Sequence, residues 1–290
     1  MGRDASQLVP DAAKAAETTV VTFVISLRRA EGRRAAMRAE LAQAGVTATF
    51  FDALDMSQTP EAEFLKDCRR DGAWGHFHTR NMACTLSHAR VWEAFLAGGA
   101  DLCLVLEDDV FLSADLGAWL DDLSWWPEGA DVVKIERWRS DGLKVLLDTA
   151  RTAHLGRSLR RLLSRHSGSA GYLLTRKAAG QLLAAKPYSV SIDQLLFNAN
   201  ASPVARRMRL WQVQPALAEQ GNDPAGEQSL VEDRERPQGL ALLRQKLARG
   251  LGEIAYPPSV VMQLISGRAR LESIRFEPRQ PKGPLAQTEL

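Results

Sequence analysis

The stretch at 102–111, Leu-Cys-Leu-Val-Leu-Glu-Asp-Asp-Val-Phe, constrains the fold more than any other part of the chain. An apolar run of strand length reads as a strand buried on both faces, the kind found in parallel sheets covered by helices. It ends abruptly in Glu107, Asp108 and Asp109. Adjacent carboxylates at the end of a buried strand repel one another and lose hydration, so they need a cation or hydrogen-bond donors around them. On an extended segment Glu107 and Asp109 share one side and Asp108 takes the other, so the outer pair can hold a hard divalent ion through oxygen ligands. This stretch by itself is equally consistent with a strand that runs out into a solvated acidic turn.

The flanking sequence alternates strand and helix patterns. Residues 19–27 are dense in β-branched side chains and predict a first buried strand. A helix over 31–44, with Ala35, Met37, Leu41 and Ala44 as its stripe and Gly45 as its stop, leads to a strand over 47–51. That unit predicts parallel pairing and a right-handed crossover, which places Asp52 and Asp55 at the edge where open parallel sheets bind ligands. Residues 56–80 read as a long loop with a short helix, and 82–97 as a helix ended by Gly98-Gly99. Ser87 and His88 are neighbours in that helix and point to different sides, so they cannot act as nucleophile and base on each other.

Further along, a helix is expected over 115–123, a strand over 131–135 ending at Glu136, and a basic amphipathic helix over 151–165 with Arg157, Arg160 and Arg161 beside its leucines. A strand over 168–175, a helix over 177–185, Asp193 at a fresh turn and a strand over 211–217 complete the readable core. Three segments follow: a disordered leader over 1–17, a main domain over 18–222, and a linker with a mainly helical extension over 223–290, helical over 239–274. The fold class expected is α/β, a mixed, mostly parallel sheet flanked by helices.

Charge excludes some partners. The 37 Lys and Arg against 35 Asp and Glu leave a net charge of +2, so no nucleic acid is called for. The 3 cysteines, Cys68, Cys84 and Cys103, form no disulfide framework or closed zinc site and fit a reducing compartment, with the cytoplasm as the default. No apolar stretch reaches the length of a membrane span, so any membrane contact is peripheral.

Several short motifs then occur in order: Val24-Ile25-Ser26-Leu27-Arg28-Arg29 with Arg33-Arg34, Phe50-Phe51-Asp52-Ala53-Leu54-Asp55, Cys84-Thr85-Leu86-Ser87-His88 and Leu106-Glu107-Asp108-Asp109-Val110. Gly168-Ser169-Ala170-Gly171-Tyr172, Ser191-Ile192-Asp193 and Gln214-Pro215 with Gln220 continue the series. Each is unspecific alone; as an ordered set the chain resembles glycosyltransferase family 25, the lipopolysaccharide and lipooligosaccharide sugar transferases related to collagen galactosyltransferases.

The resemblance implies a GT-A-like fold, a nucleotide-sugar donor, a divalent metal and inversion at the anomeric carbon. It implies Glu107 and Asp109 as ligands of Mn2+ or Mg2+, and donor contacts from Ser26, Leu27, Arg33, Asp52, Asp55, Ser87, His88 and Asp108. A base must take the acceptor proton, for which Asp193 is the candidate and Glu136 the rival; the bland role of Asp193 is a helix N-cap. The implied reaction moves a hexose from a UDP-sugar to a glycan or lipid-linked glycan, in cell-surface glycan assembly at the inner face of an anionic membrane. The competing class is a non-catalytic nucleotide-sugar-binding protein or membrane-surface adaptor.

Overall fold

The computed structural model describes residues 18–72, 74–138, 143–221 and 258–278. β1 (Val20–Ser26) forms from the β-branched run. α1 (Glu31–Gln43) buries Met37 and Leu41, and Gly45 follows it with a φ of 67°, a left-handed position that a side chain disfavours. β2 (Thr49–Asp52) pairs in parallel with β1, which brings Ser26 level with Asp52. α2 (Glu61–Asp67) and a hairpin of β3 (Asp71–Gly72) and β4 (Gly75–His76) occupy the long connection. α3 (Thr79–Ala97) packs Met82, Leu86, Val91, Trp92 and Phe95 into the core. β5 (Leu102–Glu107) runs parallel to β1 with Glu107 opposite Ile25, so the acids emerge at the same edge as Ser26 and Asp52.

β6 (Val110–Leu112), α4 (Leu116–Asp121), β7 (Val132–Lys134), β8 (Glu136–Arg137) and β9 (Lys144–Asp148) come next. β10 (Thr152–His154) and β11 (Arg157–Arg161) form an antiparallel hairpin where a basic helix was expected. Two causes override the helical leucine spacing. Leu155 and Gly156 both take positive φ, the geometry of a two-residue hairpin turn. Arg157 is buried, donating to Asp115, to Ser113 Oγ and to the carbonyls of Pro215, Ala216 and Glu277. A guanidinium with that many acceptors is a core group.

β12 (Gly171–Thr175), α5 (Arg176–Leu183), α6 (Ile192–Phe197), α7 (Pro203–Arg207), β13 (Leu210–Gln214) and β14 (Ala218–Gln220) follow, and then α8 (Pro258–Ile265) and β15 (Ala269–Ser273). The main sheet has the order β10-β11-β13-β7-β12-β5-β1-β2. β2, β1, β5, β7, β13 and β10 point one way, and β12 and β11 the other. This is the mixed, mostly parallel α/β sheet expected, with helices on both faces. Cys103 and Val105 join the core formed with α3, α5 and α6, while Leu104 and Leu106 join the core formed with α1 and α4. Such two-sided burial explains why β5 is continuously apolar.

A small sheet of order β6-β14-β8 sets Gln220 opposite Val110, beside the acidic turn. The helical extension expected at the C-terminus is corrected within 258–278: Ala269–Ser273 is a strand paired with β9, so this part belongs to the body of the fold. An open edge on β9 satisfies its backbone groups better than a helix continued past Gly267, which has a φ of 71°. The leader over 1–17 and the linker over 223–257 lie outside the described residues.

Candidate active site

Every carboxylate expected at the site stands near the C-terminal ends of β1, β2 and β5 or on elements folded over them, but their environments differ sharply. Asp108 and Asp109 form the turn between β5 and β6 rather than continuing the strand, and Asp108 points back to the end of β1. It accepts from Ser26 Oγ at 2.6 Å and lies 3.3 Å from Arg33 Nη1. Burial raises its carboxyl above the ordinary value, against the pull of Ser26 and Arg33.

Glu107 turns toward α3. Its Oε1 accepts from Ser169 Oγ at 2.9 Å and lies 3.4 Å from His88 Nε2, long for a hydrogen bond. Burial opposes its ionisation, yet His88, Ser169 and Lys134 outweigh burial and hold Glu107 below the usual carboxylate range.

His88 is itself held from behind. Trp92 Nε1 donates to Tyr172 Oη at 3.0 Å, and Tyr172 Oη stands 2.8 Å from His88 Nδ1. The tyrosine hydroxyl takes the indole hydrogen and gives its own to Nδ1, which leaves a hydrogen on Nε2, facing Glu107. All three of these side chains are enclosed. Tyr172→Phe would leave the indole N–H and the imidazole Nδ1 without partners, and the expected cost is about 1–3 kcal/mol in denaturant unfolding.

Asp109 is the strained member. Gln220 Nε2 donates to its Oδ2 at 2.9 Å, while Oδ1 is buried without a hydrogen-bond partner among the described residues. Burial, then the charge of Glu107, pushes its carboxyl up to about 7. An unpartnered carboxylate oxygen next to a second carboxylate is the environment a hard divalent cation would relieve, so the donors fit Mn2+ or Mg2+. Cys84, His88 and Glu107 also have potential ligand atoms within 4.8 Å of one another. With one thiol and one imidazole this trio is a softer donor set than the carboxylate pair, and burial drives the metal-free Cys84 thiol well above its ordinary value.

Arginines that follow β1 pair with the other acids of this edge, Arg28 with Asp52 at 4.0 Å and Arg33 with Asp108. Arg28 is 88% exposed in its side chain. Arg34 donates to the carbonyls of Ser26 and Leu27, to Ser26 Oγ and to Asp52. It therefore shapes the β1–α1 loop, a role that sequence reasoning missed because adjacent arginines look alike in a helical pattern. Asp55 pairs with Arg29 at 2.7 Å and accepts from Ser57, contacts that hold its carboxyl at about 2. It braces its own loop.

Three expectations are corrected. Glu136 has no exposed surface: its Oε2 accepts from Lys134 Nζ at 2.9 Å and from the Ala170 amide at 2.8 Å, so it cannot meet an acceptor hydroxyl. Ser87 is buried and binds the Leu54 amide and the Ala83 carbonyl, tying the β2–α2 connection to α3. His88 supports Glu107 from inside the core and has no surface for a donor. Asp193 remains half-buried at the second position of α6, where Ser191, not Asp193, is the N-cap. Its charge is felt at Lys134 and Cys84, the residues that also feel Glu107.

Lys134, also missed, sits enclosed among Glu136 and the carbonyls of Ser167 and Gly168, 4.5 Å from the centre of the Phe197 ring. It places one positive charge beneath the acids.

Comparison with known proteins adds a family match. Residues 20–196 match the family described as Glycosyltransferase family 25 (LPS biosynthesis protein). The chain is similar to the lacto-N-neotetraose biosynthesis glycosyltransferase LgtB of Neisseria gonorrhoeae, 34% identical over 53% of this chain and 57% of that protein. It is also similar to the LgtB of Neisseria meningitidis serogroup A, 32% identical over 68% of this chain and 73% of that protein. Among solved structures, a glycosyltransferase involved in glycosylation of the major capsid of PBCV-1 aligns with a TM-score of 0.37 at 9% identity, over 80% of this chain and 99% of that one. The match with the gonococcal protein spans little more than half of that relative's length.

Proposed function

The chain belongs to glycosyltransferase family 25, and from that membership we propose that it is a metal-dependent, inverting hexosyltransferase of lipopolysaccharide or related cell-surface glycan assembly. The donor in this reading is a UDP-hexose, galactose or glucose, and the acceptor is a hydroxyl of a glycan, free or lipid-linked, at the cytoplasmic face of the membrane. The observation that carries the reading is the buried Asp109 Oδ1, without a hydrogen-bond partner among the described residues and close enough to Glu107 to feel its charge.

In the reaction the acceptor oxygen forms a bond to the anomeric carbon as the bond from that carbon to the diphosphate breaks, and the hydroxyl proton passes to Asp193. Bound at Glu107 and Asp109, Mn2+ or Mg2+ would supply Lewis-acid neutralisation of the departing diphosphate. Arg28 and Arg33 meet the phosphates, and Asp108, set by Ser26 and Arg33, faces the ribose or the sugar. The chain Trp92, Tyr172, His88 keeps Glu107 anionic and oriented.

A thermal-shift screen of nucleotide sugars with Mn2+, with and without chelator, tests this. A cognate donor at a hundred times its Kd adds about 2.7 kcal/mol of apparent stability. Stabilisation by no nucleotide sugar would reject the proposal. Stabilisation without turnover would favour a non-catalytic binding protein.

A further inference from the structure

The arm formed by α8 and β15 lies outside the sugar-transfer chemistry. Val261, Met262, Leu264 and Ile265 are all exposed on α8, Met262 by 61% and Ile265 by 75%, and Leu271 of β15 is exposed as well. Four such side chains within a short helix make a grouped apolar surface, which marks a contact rather than a solvated face. The arm is anchored to the fold. β15 is laddered to β9, the Thr149 amide and hydroxyl both donate to the Arg268 carbonyl, and Arg160 pairs with Glu272 at 2.7 Å.

Charge identifies the occupant. Arg268 and Arg270 are exposed in this arm and Arg275 just past it, two residues before the exposed Glu277, while Glu272 is taken up by Arg160. An apolar turn next to a set of arginines is complementary to an anionic bilayer, where the apolar side chains enter the acyl boundary and the guanidiniums meet lipid phosphates. A second copy of this chain fits less well, since a two-fold contact through this patch would bring two sets of arginines together.

We infer that α8 and the arginines after it dock the protein on an anionic lipid surface. The inference names the surface for the membrane contact in the proposed function, and it holds whether or not the chain transfers sugar. Arg157 and Arg160 of the expected basic helix take no part, because both are buried.

The test is co-sedimentation of the full chain with phosphatidylcholine vesicles, with and without phosphatidylglycerol, at low and high salt. Retention is expected on the anionic vesicles and should weaken with salt. Arg268→Glu with Arg270→Glu should lower apparent affinity by about 25-fold or more, roughly fivefold per arginine. Val261→Asp with Ile265→Asp should abolish retention, while Ile265→Trp should tighten it, since an indole favours the interface. These exposed positions leave the fold alone, and melting curves and transfer to a soluble acceptor should match the wild type. Failure of transfer in every variant and the wild type would count against the enzymatic reading only. Retention unchanged in the aspartate variant would overturn the inference. So would a wild-type dimer that this variant makes monomeric, with no binding to either vesicle.

Discussion

Asp109→Asn is expected to reduce metal-supported transfer by about 10³-fold or more, since losing a ligand to the diphosphate-neutralising ion forfeits several kcal/mol of transition-state stabilisation. The fold should survive and even gain. In the wild type the Asp109 carboxyl sits at about 7 when folded, above its ordinary value. A carboxylate raised on folding lowers stability progressively as pH rises from its unfolded value to its folded one, and the full penalty holds above that. The amide carries no such penalty, so above about pH 7 the metal-free variant should melt higher than the metal-free wild type. Added Mn2+ should stabilise the wild type and leave the variant unmoved. If the variant is still stabilised by Mn2+ and still transfers sugar, the ion is held elsewhere.

Asp193→Asn is expected to lose about 10²- to 10⁴-fold in transfer while binding donor and metal with near-normal affinity, the signature of a missing general base. Capping does not complicate this result, because Ser191 holds the N-cap position of α6 and the Asp193 carboxylate accepts from Ser191 Oγ. The amide keeps the size of the side chain, so melting should change little. Calorimetric titration of donor, one melting curve and one rate separate the outcomes. Weakened donor and metal binding would make Asp193 a ligand. Undiminished transfer would remove it from the mechanism, and Glu136 could not replace it, enclosed as it is against Lys134 and the Ala170 amide.

Much of this was legible in the sequence because it depends on neighbours along the chain. Uninterrupted apolar runs such as 102–106 specify strands buried on two faces, and Gly45 specifies a helix stop by its freedom at positive φ. Strand ends therefore locate the acidic edge, although Asp108 and Asp109 themselves form a turn after β5 and not the extended segment that alternation assumed. The order of short motifs was sufficient to place the chain in its family.

Which side chains reach solvent was decided only by the tertiary structure. Glu136 and Asp109 follow similar apolar strands and each keeps one buried oxygen without a hydrogen bond among the described residues, yet Glu136 has the Lys134 ammonium and a backbone amide on its other oxygen while Asp109 has only the Gln220 amide. Arg157 has the helical spacing of a surface charge and is buried, because Asp115 and the carbonyl of Glu277 converge on it from far along the chain. His88 becomes the keeper of Glu107 through Tyr172, 84 positions away. Local periodicity reports the backbone's preferred path, whereas the burial and pairing of a charge depend on residues brought together by folding. The partner, set by the tertiary contact, determines whether a carboxylate is a ligand, a base or a piece of the core.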